Sequence, residues 1–211
     1  MAGFFITLEG IDFCGKSEQA QRLAKKLHSS NHAVHLIRDP GTTVISEKIR
    51  EILLSTRNHT LCRETEVLLF AAARAQMVAE SILPELAVGK VVICERFYDS
   101  TTAYQGYGRQ IDLNIISMLN AFASQNRKPD LTFVIDIDPA VAYQRQQLAG
   151  RQLDRMEQET QQFRTIVRNG FLEIARNEPE RIVVINGDDS FENIANQIWQ
   201  VVRKNFSTRL R

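Results

Sequence analysis

The chain is 211 residues long and 44% hydrophobic, enough to bury a sizeable core without disulfide or metal staples. Its 26 Lys and Arg against 25 Asp and Glu leave a net charge of +1. That balance excludes a strongly basic protein holding polymeric nucleic acid by bulk phosphate attraction, and the apolar content excludes an acidic disordered tail. The cations are 19 Arg and 7 Lys. Arg suits bidentate recognition of phosphate and carboxylate, so local cationic sites are expected inside a neutral whole.

No composition break divides the chain, and one domain over residues 1–211 is expected. Cys14, Cys62 and Cys94 are scattered without a C-x-x-C pair, which argues against a disulfide framework or structural zinc and fits a reducing compartment. The N-terminus lacks a basic n-region, and no apolar run approaches the roughly 20 residues a bilayer requires. A soluble cytoplasmic protein without membrane association is expected.

The first apolar, β-rich run covers residues 4–8 and leads into Gly10-Ile11-Asp12-Phe13-Cys14-Gly15-Lys16-Ser17, a complete G-x-x-x-x-G-K-[ST] at 10–17. Its glycines let backbone N–H groups turn around phosphate oxygens, Lys16 reaches terminal phosphates, and the Ser17 hydroxyl can ligate Mg²⁺. A helix predicted over 16–29 adds its N-terminal dipole. A second strand, 33–37, runs into Arg38-Asp39-Pro40-Gly41-Thr42-Thr43. The Pro-Gly pair forces a turn. It leaves Arg38 either as a phosphate contact or as a surface partner of Asp39.

Helices are predicted over 45–54 and 64–87. In the longer one Glu66, Phe70 and Arg74 stack at i, i+4 and i+8. That face is either core packing beside a snorkelling Arg or a flat stacking surface with a fork of donors for a nucleobase. A third strand, 91–94, ends in Glu95-Arg96-Phe97 and then Ser100, Thr101, Tyr104 and Gln105. Glu95 can bind Mg²⁺ through water, Arg96 can neutralise a transferring phosphoryl group, and Gln105 carries both donors and an acceptor for a base edge.

A helix over 113–123, a strand over 131–137 and a helix over 139–148 follow. A lid-like segment at about 145–157 carries Arg145, Arg151 and Arg155. Beyond it come a helix over 157–177, a strand over 182–185, a helix over 191–205 and a tail, 207–211, expected to fray. Apolar strands alternating with helices predict a doubly wound α/β domain on a five-stranded parallel sheet, with ligands beyond the carboxyl ends of the strands. Asn126-Arg127-Lys128-Pro129-Asp130 precedes its strand and lacks N-K-x-D spacing, so a guanine-specific switch is not supported.

These motifs together resemble the thymidylate kinases (dTMP kinases) among the phosphate-loop nucleoside monophosphate kinases. The resemblance spans nearly the whole chain: the phosphate loop with Asp12 at its third position, Arg38 to Thr43 against R-E-P-G-G-T, and Phe70, Ala72 and Arg74 against F-x-A-x-R. Glu95-Arg96-Phe97 with Ala103 to Arg109 matches D-R-[YFH] with A-Y-Q-G-x-G-R, and Leu153-Asp154-Arg155-Met156-Glu157 matches L-D-R-x-E. The resemblance implies transfer of the ATP γ-phosphoryl to dTMP with Mg²⁺, in a homodimer. It implies that Phe70 stacks on thymine, that Arg74 donates to a base carbonyl, and that Gln105, Ser100 and Thr101 complete the base and sugar contacts. Arg38 and Arg96 would hold the monophosphate, Asp12 would meet the 3′-hydroxyl, and Tyr104 would wall off a ribose 2′-hydroxyl.

The phosphate loop has no basic residue at Phe13 or Cys14, so the resemblance assigns the neutralising Arg to the lid, with Arg151 first because Gly150 loosens the chain beside it. Arg155 would brace the lid or flank the ATP base. Three departures stand out: Glu95 for the family's Asp, Thr42 for a Gly, and Glu18 after Ser17 for a hydroxyl residue.

Overall fold

The computed structural model describes residues 3–209. Five strands form one sheet in the order β2-β3-β1-β4-β5: β1 (Phe4–Glu9), β2 (Val34–Arg38), β3 (Val91–Glu95), β4 (Leu131–Asp136) and β5 (Ile182–Asn186). Every pairing is parallel. Each strand falls within a residue or so of its predicted run. β1 sits at the centre with all six residues buried, as a strand covered on both faces must be.

The helices α1 (Lys16–Ser29), α2 (Val44–Leu54), α6 (Leu113–Ala123), α7 (Pro139–Leu148) and α9 (Phe191–Arg209) agree with prediction to within a few residues at their ends. The helix of α9 continues through Arg209, past the point where the tail was expected to fray, and Leu210 and Arg211 lie outside the described residues. α1 and α9 bury apolar residues at helical spacing, Ala20, Leu23, Ala24 and Leu27 in one and Ile194, Ile198 and Val202 in the other.

The predicted helix 64–87 is α3 (Arg63–Met77), a π-turn at Val78–Ile82 and a short α4 (Leu83–Ala87). Pro84 explains the interruption. It cannot donate to the ladder and its ring crowds the carbonyl four residues back, so the preceding turn widens. Arg63–Ala87 is also long and apolar enough to cross a bilayer by length and composition, against the expectation that no apolar run approaches that length. Here its apolar side packs on the sheet through Met77, Val78, Ile82 and Leu86, while Glu66 and Arg74 are buried in ion pairs with other elements.

Residues 98–108 were not predicted as helical. They form α5 (Tyr98–Thr101) continued by a π-helical segment, Thr102–Gly108. Two glycines in an aromatic and polar stretch read as a loop, but tertiary contact decides the matter. α8 (Gln161–Asn177) packs so closely that a Cβ on Gly170 would lie 2.9 Å from the Tyr107 ring. α8 begins four residues later than predicted, because Asp154 and Glu157 cap each other's backbone N–H groups in a separate turn (2.9 and 3.1 Å).

The register brings Leu8, Arg38 and Glu95 level at one end of the sheet. The chain leaves β1 toward β2 on one side and later crosses to β4 on the other, which opens a crevice there. Beneath it, Arg181 clamps Asp99 with two hydrogen bonds (2.8 and 3.0 Å) and bonds the Thr132 hydroxyl (2.8 Å), all three buried. Arg181→Ala would strand the Asp99 charge, so the expected loss is about 3–5 kcal/mol of stability. Urea unfolding measures it, and an unchanged midpoint would show that Asp99 finds another partner.

Candidate active site

The loop after β1 bends as its sequence demands. Gly10 has φ 135°, and a Cβ there would sit 2.6 Å from the Ile135 carbonyl oxygen. Gly15, at φ 95°, precedes α1 and offers no side-chain cap, so the first N–H groups of the helix face the hollow of the loop. Lys16 is buried, donates to the Ile11 carbonyl (3.2 Å) and lies 3.8 Å from Asp12. Ser17 donates to Glu95 across the crevice (2.7 Å). Ile11 and Cys14 turn into the core, leaving only their backbone at the loop.

Arg96 joins this loop to the segment after β3. It has φ 66°, with its own N–H bonded to the Leu8 carbonyl. Its guanidinium donates to the Gly10 carbonyl (2.9 Å), Ser100 Oγ (2.9 Å), Asp12 Oδ1 (2.6 Å) and the Tyr104 hydroxyl (3.0 Å). Tyr104 in turn donates to Asp12 Oδ2 (3.0 Å). Burial alone would raise the Asp12 carboxyl, but Arg96, then Lys16 and the Tyr104 hydroxyl, hold it down at about 2.

Behind Arg96 lies Glu9, wholly buried at the end of β1. It accepts the Phe97 N–H (2.7 Å) and the Ser100 hydroxyl (2.6 Å). Burial, together with the nearby Asp99 carboxylate, pushes its pKa up to about 8.

Two cavities meet at these residues. The larger, about 530 Å³, is lined by Lys16, Ser17, Arg38, Glu95, Arg96 and Arg151 among others. The smaller, about 80 Å³, is lined by Phe70, Arg74, Ser100, Thr101, Tyr104 and Gln105 together with Leu54 and Met156. Asp12, Asp39, Arg50, Arg96 and Asp154 border both. A separate hollow of about 380 Å³ between α6 and the end of α8 takes in Tyr107, Asn126 and Lys128 but none of the candidate site residues, and its lining offers no phosphate-binding loop.

Within the smaller cavity Arg74 is almost wholly buried. It donates to Asp39 (2.5 Å), Asn120 (3.2 Å), Thr101 (2.7 Å) and the Phe97 carbonyl (3.5 Å), so one Nη1 hydrogen remains for a ligand. Burial raises the Asp39 carboxyl, outweighing the lowering by Arg74. Phe70 is half-buried with its ring on the cavity. Gln105 is buried and donates its amide to Glu66 (2.9 Å).

Arg38 is exposed, and its Nη2 donates to both carboxylate oxygens of Glu47 (3.2 Å each). Thr42, where the family has Gly, sits at φ 77°, a conformation strained for a β-branched residue. Its hydroxyl bonds both the N–H and the carbonyl of Arg38 (3.1 Å each), and its N–H donates to Glu47 (2.7 Å). The turn is therefore held by side chains where glycine would let it form freely.

The three lid arginines divide cleanly. Arg145 donates to the carbonyls of Phe13 (3.4 Å) and Gly187 (3.1 Å). Arg155 donates to the Leu53 carbonyl (2.8 Å) and Glu66 (2.6 Å) and lines neither cavity. Arg151 faces the larger cavity, half-exposed, in a bidentate pair with Glu157 (2.5 and 2.8 Å) and over the Phe13 ring (5.6 Å).

Sequence reasoning missed Glu9 and Arg50. A carboxylate inside an otherwise apolar buried strand was the signal for Glu9. Arg50 donates to the Pro40 carbonyl (2.8 Å) from α2, and nothing local marks it out, since its partners are set by the turn after β2.

A phosphate-binding loop at the switch point of a parallel sheet, opening on a second cavity with an aromatic wall, defines a phosphate-loop nucleotide kinase. Comparison with known proteins narrows the class. The thymidylate kinase family model matches residues 8–198. A thymidylate kinase of Geobacter sulfurreducens is 45% identical over 205 residues, 95% of this chain and 96% of that one. One of Syntrophotalea carbinolica is 44% identical over 201 residues, 93% of each. The crystal structure of thymidylate kinase from Ehrlichia chaffeensis superposes with TM-score 0.76 at 35% identity, covering 96% of this chain and 99% of that one. The chain belongs to the thymidylate kinase family.

Glu9 provides a test of the site's electrostatics. Its folded pKa is raised, so its contribution to stability is full below the unfolded value of about 4.5 and is lost as pH rises through about 8. Glu9→Gln should flatten the fall in Tm across that window. A Tm profile unchanged by the substitution would place the pH dependence elsewhere.

Proposed function

We propose that the larger cavity receives the phosphates of ATP and the smaller one the base and sugar of dTMP, with the acceptor phosphate between them. The chain is an ATP-dependent dTMP kinase: the γ-phosphoryl group of ATP passes to dTMP, giving dTDP and ADP, a step toward dTTP. The observation that carries the residue assignment is that Asp12 and Arg96 border both cavities. An attacking phosphate oxygen and a transferring phosphoryl group held on either side of Arg96 would be close enough to react.

Phosphoryl transfer demands positioning and neutralisation of charge, and no strong general base. The backbone N–H groups of Gly10 to Ser17 and the start of α1 would cradle the donor phosphates, and Lys16 would shift from the Ile11 carbonyl to their oxygens. Arg96 and Arg38 would hold the acceptor phosphate, with Arg50 as a third cation at the junction. Phe70 would stack on thymine, the free Nη1 hydrogen of Arg74 would meet a base carbonyl, and Gln105 would read the base edge. Asp12, kept ionised by Arg96, would accept from the 3′-hydroxyl. The Tyr104 hydroxyl, bonded to that same carboxylate, would leave little room for a 2′-hydroxyl.

Ser17 and Glu95 fit a Mg²⁺ site, since a hydroxyl and a carboxylate 2.7 Å apart face the larger cavity. Among the described residues no cluster of three His, Cys, Asp or Glu adds further ligands, and Mg²⁺ characteristically takes phosphate oxygens and water for the remainder. Bound there, the ion would offset the charge of the donor phosphates.

Of the three lid arginines, Arg151 alone lines the larger cavity. Phosphate oxygens would compete with Glu157 for its guanidinium as the lid, about 145–157, closes and excludes water. Of the two roles considered for Arg155, its bonds to Leu53 and Glu66 favour the brace over contact with ATP. The lid and the sheet would work as one cytoplasmic domain, with no polymeric nucleic acid or membrane partner. The exposed apolar side chains Leu68 on α3 and Ile115, Met118 and Phe122 on α6 would supply a homodimer interface.

A coupled assay across dTMP, dUMP, UMP, CMP and AMP tests the acceptor, and strong preference for anything but dTMP or dUMP would sink the reading. Arg151→Ala should lower kcat by roughly a hundredfold or more with little change in the KM for dTMP. An unchanged kcat would move the neutralising role to Arg145 or Arg155.

A further inference from the structure

Glu66 has no part in the transfer just described, yet it is among the most buried carboxylates in the chain. Three side chains from two other segments converge on it. Gln105 Nε2 (2.9 Å) and Arg109 Nε (3.1 Å) donate to Oε1, while Arg109 Nη2 (3.2 Å) and Arg155 Nη1 (2.6 Å) donate to Oε2. Burial alone would raise this carboxyl, but Arg109, Gln105 and Arg155 together hold it below the usual range, so it is ionised. An ionised carboxylate only accepts. Facing it, the Gln105 carboxamide has one permitted orientation, with NH₂ toward Glu66. The carbonyl Oε1 of Gln105, which receives no protein donor among the described residues, is left to the acceptor cavity that Gln105 lines.

We propose that Glu66 is a positioning residue that sets base specificity: by holding the Gln105 amide NH₂ it presents the Gln105 carbonyl oxygen to the cavity. The cavity then takes a pyrimidine bearing an N3–H donor and refuses one whose N3 is a bare acceptor. Thymine and uracil carry that hydrogen, and neutral cytosine has a lone pair there. Two acceptors meeting with no hydrogen between them, or two donors with no acceptor, leave a buried polar group unpaired, which is the costly case. The inference rests on the smaller cavity being the dTMP site. Because Arg155 of the lid signature shares the same carboxylate, the group that orients the base reader also anchors the lid.

Glu66→Gln keeps the shape but adds a donor. Where the new NH₂ meets Gln105, the amide of Gln105 turns over and offers its own NH₂ to the cavity. Steady-state kinetics with ATP should show the ratio of kcat/KM for dTMP over dCMP falling roughly tenfold or more. The change should sit in the acceptor KM, with the KM for ATP held. The double variant Glu66→Gln with Gln105→Glu restores an acceptor oxygen facing the base and should recover the preference for dTMP. A uniform loss of kcat for all acceptors, with the ratio intact, would overturn the role of Glu66.

Should Glu66→Gln lack a cooperative melting transition, the wild-type enzyme gives the decision with N3-methyl-dTMP, which keeps both base carbonyls but carries no N3–H. A roughly tenfold lower kcat/KM supports the proposal, and parity with dTMP overturns it. A wild-type enzyme that phosphorylates neither dTMP nor dUMP would instead refute the assignment of the cavity.

Discussion

The Arg96 guanidinium is the contact on which the site depends. Its bonds to the Gly10 carbonyl and Asp12 on one side, and to Ser100 and Tyr104 on the other, tie the phosphate loop to the segment after β3. Neither segment is regular enough to hold that geometry by itself. The loop needs left-handed backbone at Phe13 and Gly15, and the opposite wall is a short helix that slides into a π-segment. A planar cation with five donors can satisfy both at once, which an ammonium on a flexible stem could not. Glu9 supports the arrangement from below by fixing the Phe97 N–H and the Ser100 hydroxyl.

This explains how a chain of net charge +1 assembles a strongly cationic centre. Arg38, Arg50, Arg96 and Arg151 line the larger cavity, but each is already matched to an acceptor: Glu47, the Pro40 carbonyl, Asp12 and Glu157. The site holds its cations in place with internal anions and carbonyls. On the proposed reading, a nucleotide phosphate entering it would exchange partners and would not have to order free side chains.

Much of the fold could be read from the chain because its signals are local. Apolar runs bounded by turn residues marked the five strands, and the phosphate loop is contiguous, with its chemistry spelled out between Gly10 and Ser17. Phe70 and Arg74 were placed on one helix face correctly, but their surroundings were not legible. Asp39, Asn120 and Thr101 reach Arg74 from three separate elements, and only the packed sheet brings them together. Glu66 was seen as a stack member, whereas its partners Gln105, Arg109 and Arg155 come from segments up to 89 residues away. The helical course of 98–108 escaped notice for a related reason, since Gly106 makes room for α6 and Gly108 for α8, and neither serves chain flexibility. The signature L-D-R-x-E acquires a physical meaning in the structure. Its Asp and Glu cap one another, its Arg anchors the turn to α3, and the same Glu holds Arg151.

Gly150 lies in the segment proposed to act as a lid. Its φ of 62° is left-handed, and no atom lies within 4 Å of the position a Cβ would take. The constraint on this joint is therefore one of chirality and not of volume. A mirror-image alanine introduced by chemical synthesis would suit the backbone that an ordinary alanine strains, stiffening the lid's base without crowding anything around it.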